Sequence, residues 1–273
     1  VVPFATGGML DSAARVITDR LAARLGQQVF IENRGGAAGN VGHDFVAKAA
    51  PDGYTLGLAT ASSNATNPAI NPKVPYDPLK DFSPIANMAA TPNVLAVNPA
   101  FPAKDFAGLL AELRRKPGQY DYASSGTGGI GHLQMELFKN LTKTFIVHIP
   151  YSGGGPALRD TVGGQVMIIF DNLPSALPHI KDKRLIALAV ASAERVAELP
   201  AVPTFKELGL ESVNRPALYG IWAPKGLPAP LVSQLNAAVR KVLQDPAVLK
   251  RLEATGSRVV ANSPVEFAAQ LKA

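Results

Sequence analysis

The chain has no cysteine among its 273 residues. Disulfide frameworks, thiolate nucleophiles, cysteine-based zinc sites and iron–sulfur clusters are thereby excluded. Long apolar runs are missing as well: residues 186–191 form about the longest, far short of the ~18–20 needed to cross a bilayer. Charge of one sign is never concentrated. The net charge is +6, yet the densest basic stretches are Arg114-Arg115-Lys116 and Lys181-Asp182-Lys183-Arg184, the second broken by an acid. A nucleic-acid partner, which needs a clustered basic face, is not expected. Enzymatic signatures are equally scarce. There is no G-x-S-x-G elbow and no H-E-x-x-H, and the four histidines (His43, His132, His148, His179) lack ligand spacing, so no metal is expected.

What is present describes a folded α/β protein. The chain is 47% hydrophobic and 18% charged, and its 24 Gly and 23 Pro make about a sixth of it, too little for a disordered or collagen-like sequence. Its length suits either two domains or one large one. The opening Val1-Val2-Pro3-Phe4 reads as the interior of a strand, so upstream residues such as a signal peptide are expected to have been removed or left out.

Short β-branched runs alternate with helical ones. Strands are expected at 1–4, 29–32 and 54–59, with helices at 11–25 and 41–49 between them. Residues 62–84, rich in Asn and Pro, have no clear period and read as a long functional loop. A second series follows: an extended segment at 94–97, helices at 106–115, 130–141 and 157–162, and strands at 120–124, 145–149, 166–170 and 185–191. Residues 218–223 are extended again, and helices at 230–243, 247–254 and from Pro264 end the chain. Ser263-Pro264-Val265-Glu266 combines a capping Ser, Pro at the first helical position and Glu three on. The order predicts two doubly wound, mostly parallel sheets with helices on both faces. Residues 1–95 plus 224–273 would form one domain and 96–223 the other, with two crossovers as a hinge and the cleft between as the default ligand site.

Two glycine-rich turns carry the chemistry. The first strand feeds Thr6-Gly7-Gly8 and a helix; the strand at 120–124 feeds Ser125-Gly126-Thr127-Gly128-Gly129 and another. Each offers unpaired N–H groups and a positive dipole end to an anion, and two at equivalent places suit one carboxylate gripped from both sides. Ordinary structural turns would look the same. Gly126-Thr127-Gly128-Gly129-Ile130-Gly131 also matches the dinucleotide pattern, so a nucleotide- or coenzyme-binding α/β enzyme is the alternative. That alternative lacks the expected acid some 20 residues on, and His132-Leu133 stands where a phosphate loop needs Lys-Ser/Thr. His132 could contact a ligand or the loop backbone. Tyr151 sits at a strand end, as does Asp171, which could receive an ammonium or cap the next helix.

The landmarks Pro3-Phe4-Ala5-Thr6-Gly7-Gly8-Met9-Leu10-Asp11, Glu32-Asn33-Arg34-Gly35-Gly36, Pro51-Asp52-Gly53-Tyr54, Pro75-Tyr76-Asp77-Pro78, His148-Ile149-Pro150-Tyr151, Phe170-Asp171-Asn172 and Val202-Pro203-Thr204-Phe205 run in order along the chain. Together they resemble the Bug family, the TctC-like periplasmic solute-binding proteins of tripartite tricarboxylate transporters. The resemblance implies a two-domain periplasmic-binding-protein clamshell that does no chemistry and needs no cofactor. It implies a receptor in the periplasm that carries a small carboxylate, an amino acid or a di- or tricarboxylate, to membrane permease subunits. A monomer is expected, and Asp171, which would repel a second ligand carboxylate and attract an ammonium, points to aspartate or glutamate. The resemblance places Thr6, Gly7, Gly8, Ser125, Thr127, Gly128 and Gly129 on the ligand, and adds the loop Ala61, Ser62, Ser63 and Asn64 as well as Asp171.

Overall fold

Leu10, Ala14, Ile17 and Leu21 are spaced so that they share one helix face, and all four are buried; Gly26 then ends the helix with φ of +66°. The computed structural model describes residues 1–254 and 256–272. Along the chain come α1 (Met9–Leu25), α2 (Asn40–Ala47), β1 (Gly57–Thr60), α3 (Asn67–Ile70), β2 (Phe82–Thr91), β3 (Asn93–Val97) and α4 (Phe106–Arg115). Next are β4 (Asp121–Ser124), α5 (Ile130–Thr142), β5 (Val147–Pro150), α6 (Gly154–Val162), β6 (Ile168–Asn172), α7 (Leu173–Lys181) and β7 (Ile186–Ala191). The chain ends with β8 (Ala217–Pro224), α8 (Ala229–Leu243), α9 (Pro246–Glu253), β9 (Arg258–Val259) and α10 (Pro264–Lys272).

These strands make two sheets, ordered β1-β8-β2-β9 and β5-β4-β6-β3-β7. Alternation along β8 sets the first core. Tyr219, Ile221 and Ala223 face the cluster that includes Leu10 and Ile17 of α1 and Val239 of α8, while Trp222 faces the opposite cluster with Val46 of α2 and Phe267 of α10. The second sheet is sandwiched in the same way. Leu95 and Phe170 point toward Leu109 of α4 and Phe138 of α5, and Val94 and Ile169 toward Leu158 of α6 and Leu177 of α7.

The expected mixed α/β architecture, two sheets with helices on both faces, is present. Strand direction differs from the expectation of mostly parallel sheets. Among the described residues, every strand pairing in the first sheet is antiparallel, and in the second only β4–β5 and β4–β6 are parallel. The cause is that β8 returns into the first sheet between β1 and β2, and β3 enters the second sheet against β6 and β7. The two early strands expected at 1–4 and 29–32 reduce to one parallel bridge, Val2 with Asn33. The long loop expected at 62–84 holds a π-turn at Ser62–Thr66, α3 and the start of β2.

Candidate ligand-binding site

The turn after Val2 is fixed from below. The Gly7 N–H donates to Asp11 Oδ2 at 3.1 Å, and Gly7 takes φ of +85°, a conformation that glycine adopts without strain. Asp11 also accepts from Arg15 Nη2 at 2.9 Å and from Asn33 Nδ2 at 3.0 Å. Burial alone would raise the Asp11 carboxyl, but these bonds outweigh it and hold the group below its ordinary range. Asp11 therefore stays ionised and braces the loop.

The first turn meets a third glycine run rather than the second turn. The Ala5 N–H donates to the Ser152 carbonyl at 3.3 Å. A Cβ on Gly155 would lie 2.2 Å from the Thr6 carbonyl oxygen, and one on Gly8 would lie 3.7 Å from the nitrogens of Gly154 and Gly155. The second turn is closed by the segment after β1. Thr66 Oγ1 donates to the Gly128 carbonyl at 2.6 Å, and the Ile130 N–H donates to Ser62 Oγ at 2.9 Å. A Cβ on Gly128 would stand 3.2 Å from Asn67 Oδ1. The two halves of the molecule are thus in contact on both flanks of what lies between them.

Between the flanks is a cavity with about 470 Å³ of space not occupied by atoms, part of it open to solvent. Gly8, Met9, Ala61 and Ser62 line one side, Ser125, Ile130, Gly154, Asp171 and Asn172 the other, with Ala217 and Tyr219 closing an end. No Lys, Arg or His is among the lining residues. Positive potential comes from the backbone instead. Gly8, Gly129, Gly153 and Asn172 are the N-caps of α1, α5, α6 and α7, so four helix N-termini converge on the cavity.

Asp171 is buried at the wall, 5% exposed, and its Oδ2 has no hydrogen-bond partner. Burial, only partly countered by the Asn172 N–H, pushes its carboxyl up to about 7. Its neighbours are well satisfied. The Tyr219 hydroxyl donates to Asn172 Oδ1, Asn172 Nδ2 to Asn93 Oδ1, and Asn93 Nδ2 to Gln134 Oε1. Gln134 Nε2 in turn reaches the carbonyls of Val213 at 2.9 Å and Arg215 at 2.8 Å. This chain links both stretches where the backbone passes from one sheet to the other.

Of the residues expected at the site, Gly8, Ala61, Ser62, Ser125 and Asp171 line the cavity. Thr6 and Gly7 lie at the contact with Gly155, and Gly128 at the contact with Asn67. Gly129 closes its own turn by donating to the Gly126 carbonyl at 3.1 Å, and Thr127 is exposed. Ser63 and Asn64 are buried, with Ser63 Oγ bonded to the Thr60 carbonyl at 3.0 Å. His132 is outside the lining; its Nδ1 accepts the Gly128 N–H at 3.2 Å, and its ring stacks on His148 at 4.1 Å. Tyr151 is outside it too and donates to Asp160 Oδ2 at 2.8 Å. Asn172, not Asp171, stands at the N-cap of α7. Sequence reasoning passed over Asn172, Ala217 and Tyr219. Nothing local signals the last two, because only the return of β8 into the first sheet brings them to the cavity.

Residues 13–271 match the family described as the tripartite tricarboxylate transporter family receptor, TctC. BugT of Bordetella pertussis is 38% identical over 265 residues, spanning 97% of this chain and 81% of that one. A solved structure described as a periplasmic transporter superposes with a TM-score of 0.97 at 51% identity, covering 99% of this chain and 91% of that one. MatC of Rhodopseudomonas palustris, solved with bound malate, gives a TM-score of 0.95 at 36% identity, covering 99% of this chain and 94% of that one.

Proposed function

The chain belongs to the tripartite tricarboxylate transporter receptor family, and on that premise we propose that it captures one small carboxylate in the cavity between its two sheets. Membership makes it a solute-binding receptor, not an enzyme. The observation that carries the ligand class is the meeting of four helix N-termini on a cavity without a cationic side chain. Each helix end favours an anion by roughly 0.3–1 kcal/mol, up to ~2 when partly buried. N–H bonds to a charged acceptor add roughly 1.5–3 kcal/mol each. A few of these suffice for micromolar binding, about −8 kcal/mol, after association is met. That MatC binds malate, a small dicarboxylate, supports the same class.

Working in the periplasm, the receptor would hand its ligand to the membrane subunits of the transporter, acting as a monomer. Its two lobes follow the sheets. The pairing of β3 in the second sheet and of β8 in the first supports crossovers between Thr91 and Asn93 and just before Ala217, close to the expected 95–96 and 223–224. The expected ligand contacts are Gly8, Ala61, Ser62, Ser125 and Asp171, with Asn172 and Tyr219 added.

A nucleotide at residues 126–131 is disfavoured, since a Cβ on Gly126 would meet Ala38 and the Tyr151 carbonyl and one on Gly128 would meet Asn67, so neighbouring segments already pack against this turn. Calorimetry against a panel of organic and amino acids tests the receptor reading. Micromolar binding of at least one carboxylate is expected. Binding of NAD or ATP with no response to any free carboxylate would overturn it.

A further inference from the structure

Asp171 presents an electrostatic contradiction within a cavity built for anions. Its unpartnered Oδ2 lies at the start of α6, where a Cβ on Gly154 would come within 2.8 Å of it, and α7 starts just after it, capped by Asn172. Two helix N-termini therefore flank this carboxyl. They attract a ligand oxygen to the spot and disfavour an ammonium there. Two ionised carboxylates cannot share such a spot without a cation. The groups that could supply one do not reach it. From α1 comes Asp11, already held by Arg15; from β8 comes the Tyr219 hydroxyl, which donates to Asn172; β3, α5 and α6 contribute no ionisable side chain to the cavity among the described residues.

We propose that Asp171 is a specificity-determining residue that holds the far carboxylate of a small dicarboxylate through a proton between the two carboxyl groups, so each ligand dianion is captured together with one proton. This rests on the receptor reading and deepens it: the ligand is a dicarboxylate without an ammonium at that end, and the proton comes from solvent. Burial already holds the carboxyl near neutrality, about 7, so the proton is available at ordinary pH. The Asp171 O–H then donates to a ligand oxygen, and the helix ends receive the remaining negative charge.

The test is titration calorimetry of the intact chain with malate, succinate, adipate, aspartate and glutamate, each in phosphate and in Tris at pH 7.5 and 8.5. For the dicarboxylate that binds, the two buffers should report uptake of about one proton, and affinity should weaken about tenfold per pH unit. Asp171→Asn, whose amide is a permanent donor, should flatten that pH dependence and abolish proton uptake. The wild-type buffer comparison stands even if the variant does not fold. Dicarboxylate binding that is flat with pH and takes up no proton overturns the proposal and leaves the receptor reading intact. Tighter binding of aspartate or glutamate, lost in Asp171→Asn, overturns it in favour of an ammonium contact. Silence from every carboxylate removes both the proposal and the reading beneath it.

Discussion

Asp11 and Asp171 line one cavity and are driven in opposite directions by their surroundings. Asp171 has a folded-state value of about 7 against an ordinary 3.8. Between these values the native state keeps a proton that the unfolded chain has released, so stability falls as pH rises through that window and levels off above it. Asp171→Asn removes the loss. In thermal melts of the unliganded protein it should change little at pH 4 and stabilise at pH 8.5 by about 2–4 kcal/mol, roughly 5–10 °C. Asp11 is lowered, so its contribution is present above the ordinary carboxyl range and fades as pH falls below it. Asp11→Asn should destabilise by about 1–3 kcal/mol at pH 7, read by urea unfolding, because the Gly7, Arg15 and Asn33 bonds lose a charged acceptor. The two acids were unequally legible. An acid in the first turn of a helix, such as Asp11, is ordinary and gave no sign of its bonds to Gly7 and Asn33, whereas a strand-end position for Asp171 fitted a helix cap as well as a ligand contact. The helix start one residue later, capped by Asn172, removes the cap reading, and sequence does not fix that position.

Gly155 shows how closely two elements from different halves approach each other. The 2.2 Å approach of an added Cβ to the Thr6 carbonyl exists only where α6 and the first turn touch. Gly155→Ala should weaken ligand binding at least tenfold, about 1.4 kcal/mol, by calorimetry, with little change in unliganded melting. At the far end of the chain α10 starts as its sequence dictates: the Ser263 N–H donates to Glu266 Oε2 at 2.8 Å, and the Glu266 N–H returns to Ser263 Oγ at 3.2 Å. That start delivers Phe267 to the first sheet, where a Cβ on Gly220 would meet its ring at 2.1 Å. Phe267→Ala should cost about 3–5 kcal/mol in chemical denaturation. The longer helices were legible from their buried stripes, whereas α3 lay hidden in the segment that reads as a loop. β2 was not legible either, since Pro84 and the register shifts at Pro84/Ala86 and Asn87/Ala89 break its two-residue period.

At the scale of the molecule, sequence alternation told which residues are buried but not which strand lies beside which. A strand's hydrophobic pattern is a property of its own faces, while its neighbour and direction are set by chain paths between the sheets. Hence the cavity's end, Ala217 and Tyr219, and the chain from Tyr219 to Gln134 across both crossovers had no local signature. That chain joins both crossovers to the wall of the cavity. X-ray scattering should give a smaller radius of gyration when a bound dicarboxylate is added to the wild type, and no contraction in Gly155→Ala at the same concentration. Three of the contacts that join the halves, Ala5 to Ser152, Thr66 to Gly128 and Ser62 to Ile130, each have a main-chain atom on at least one side. Such a latch is indifferent to the cargo's identity. A pair of fluorophores straddling it would therefore register any accepted acid with the same optical response, and recognition could be redrawn at Met9, Ala217 or Asp171 without rebuilding the reporter.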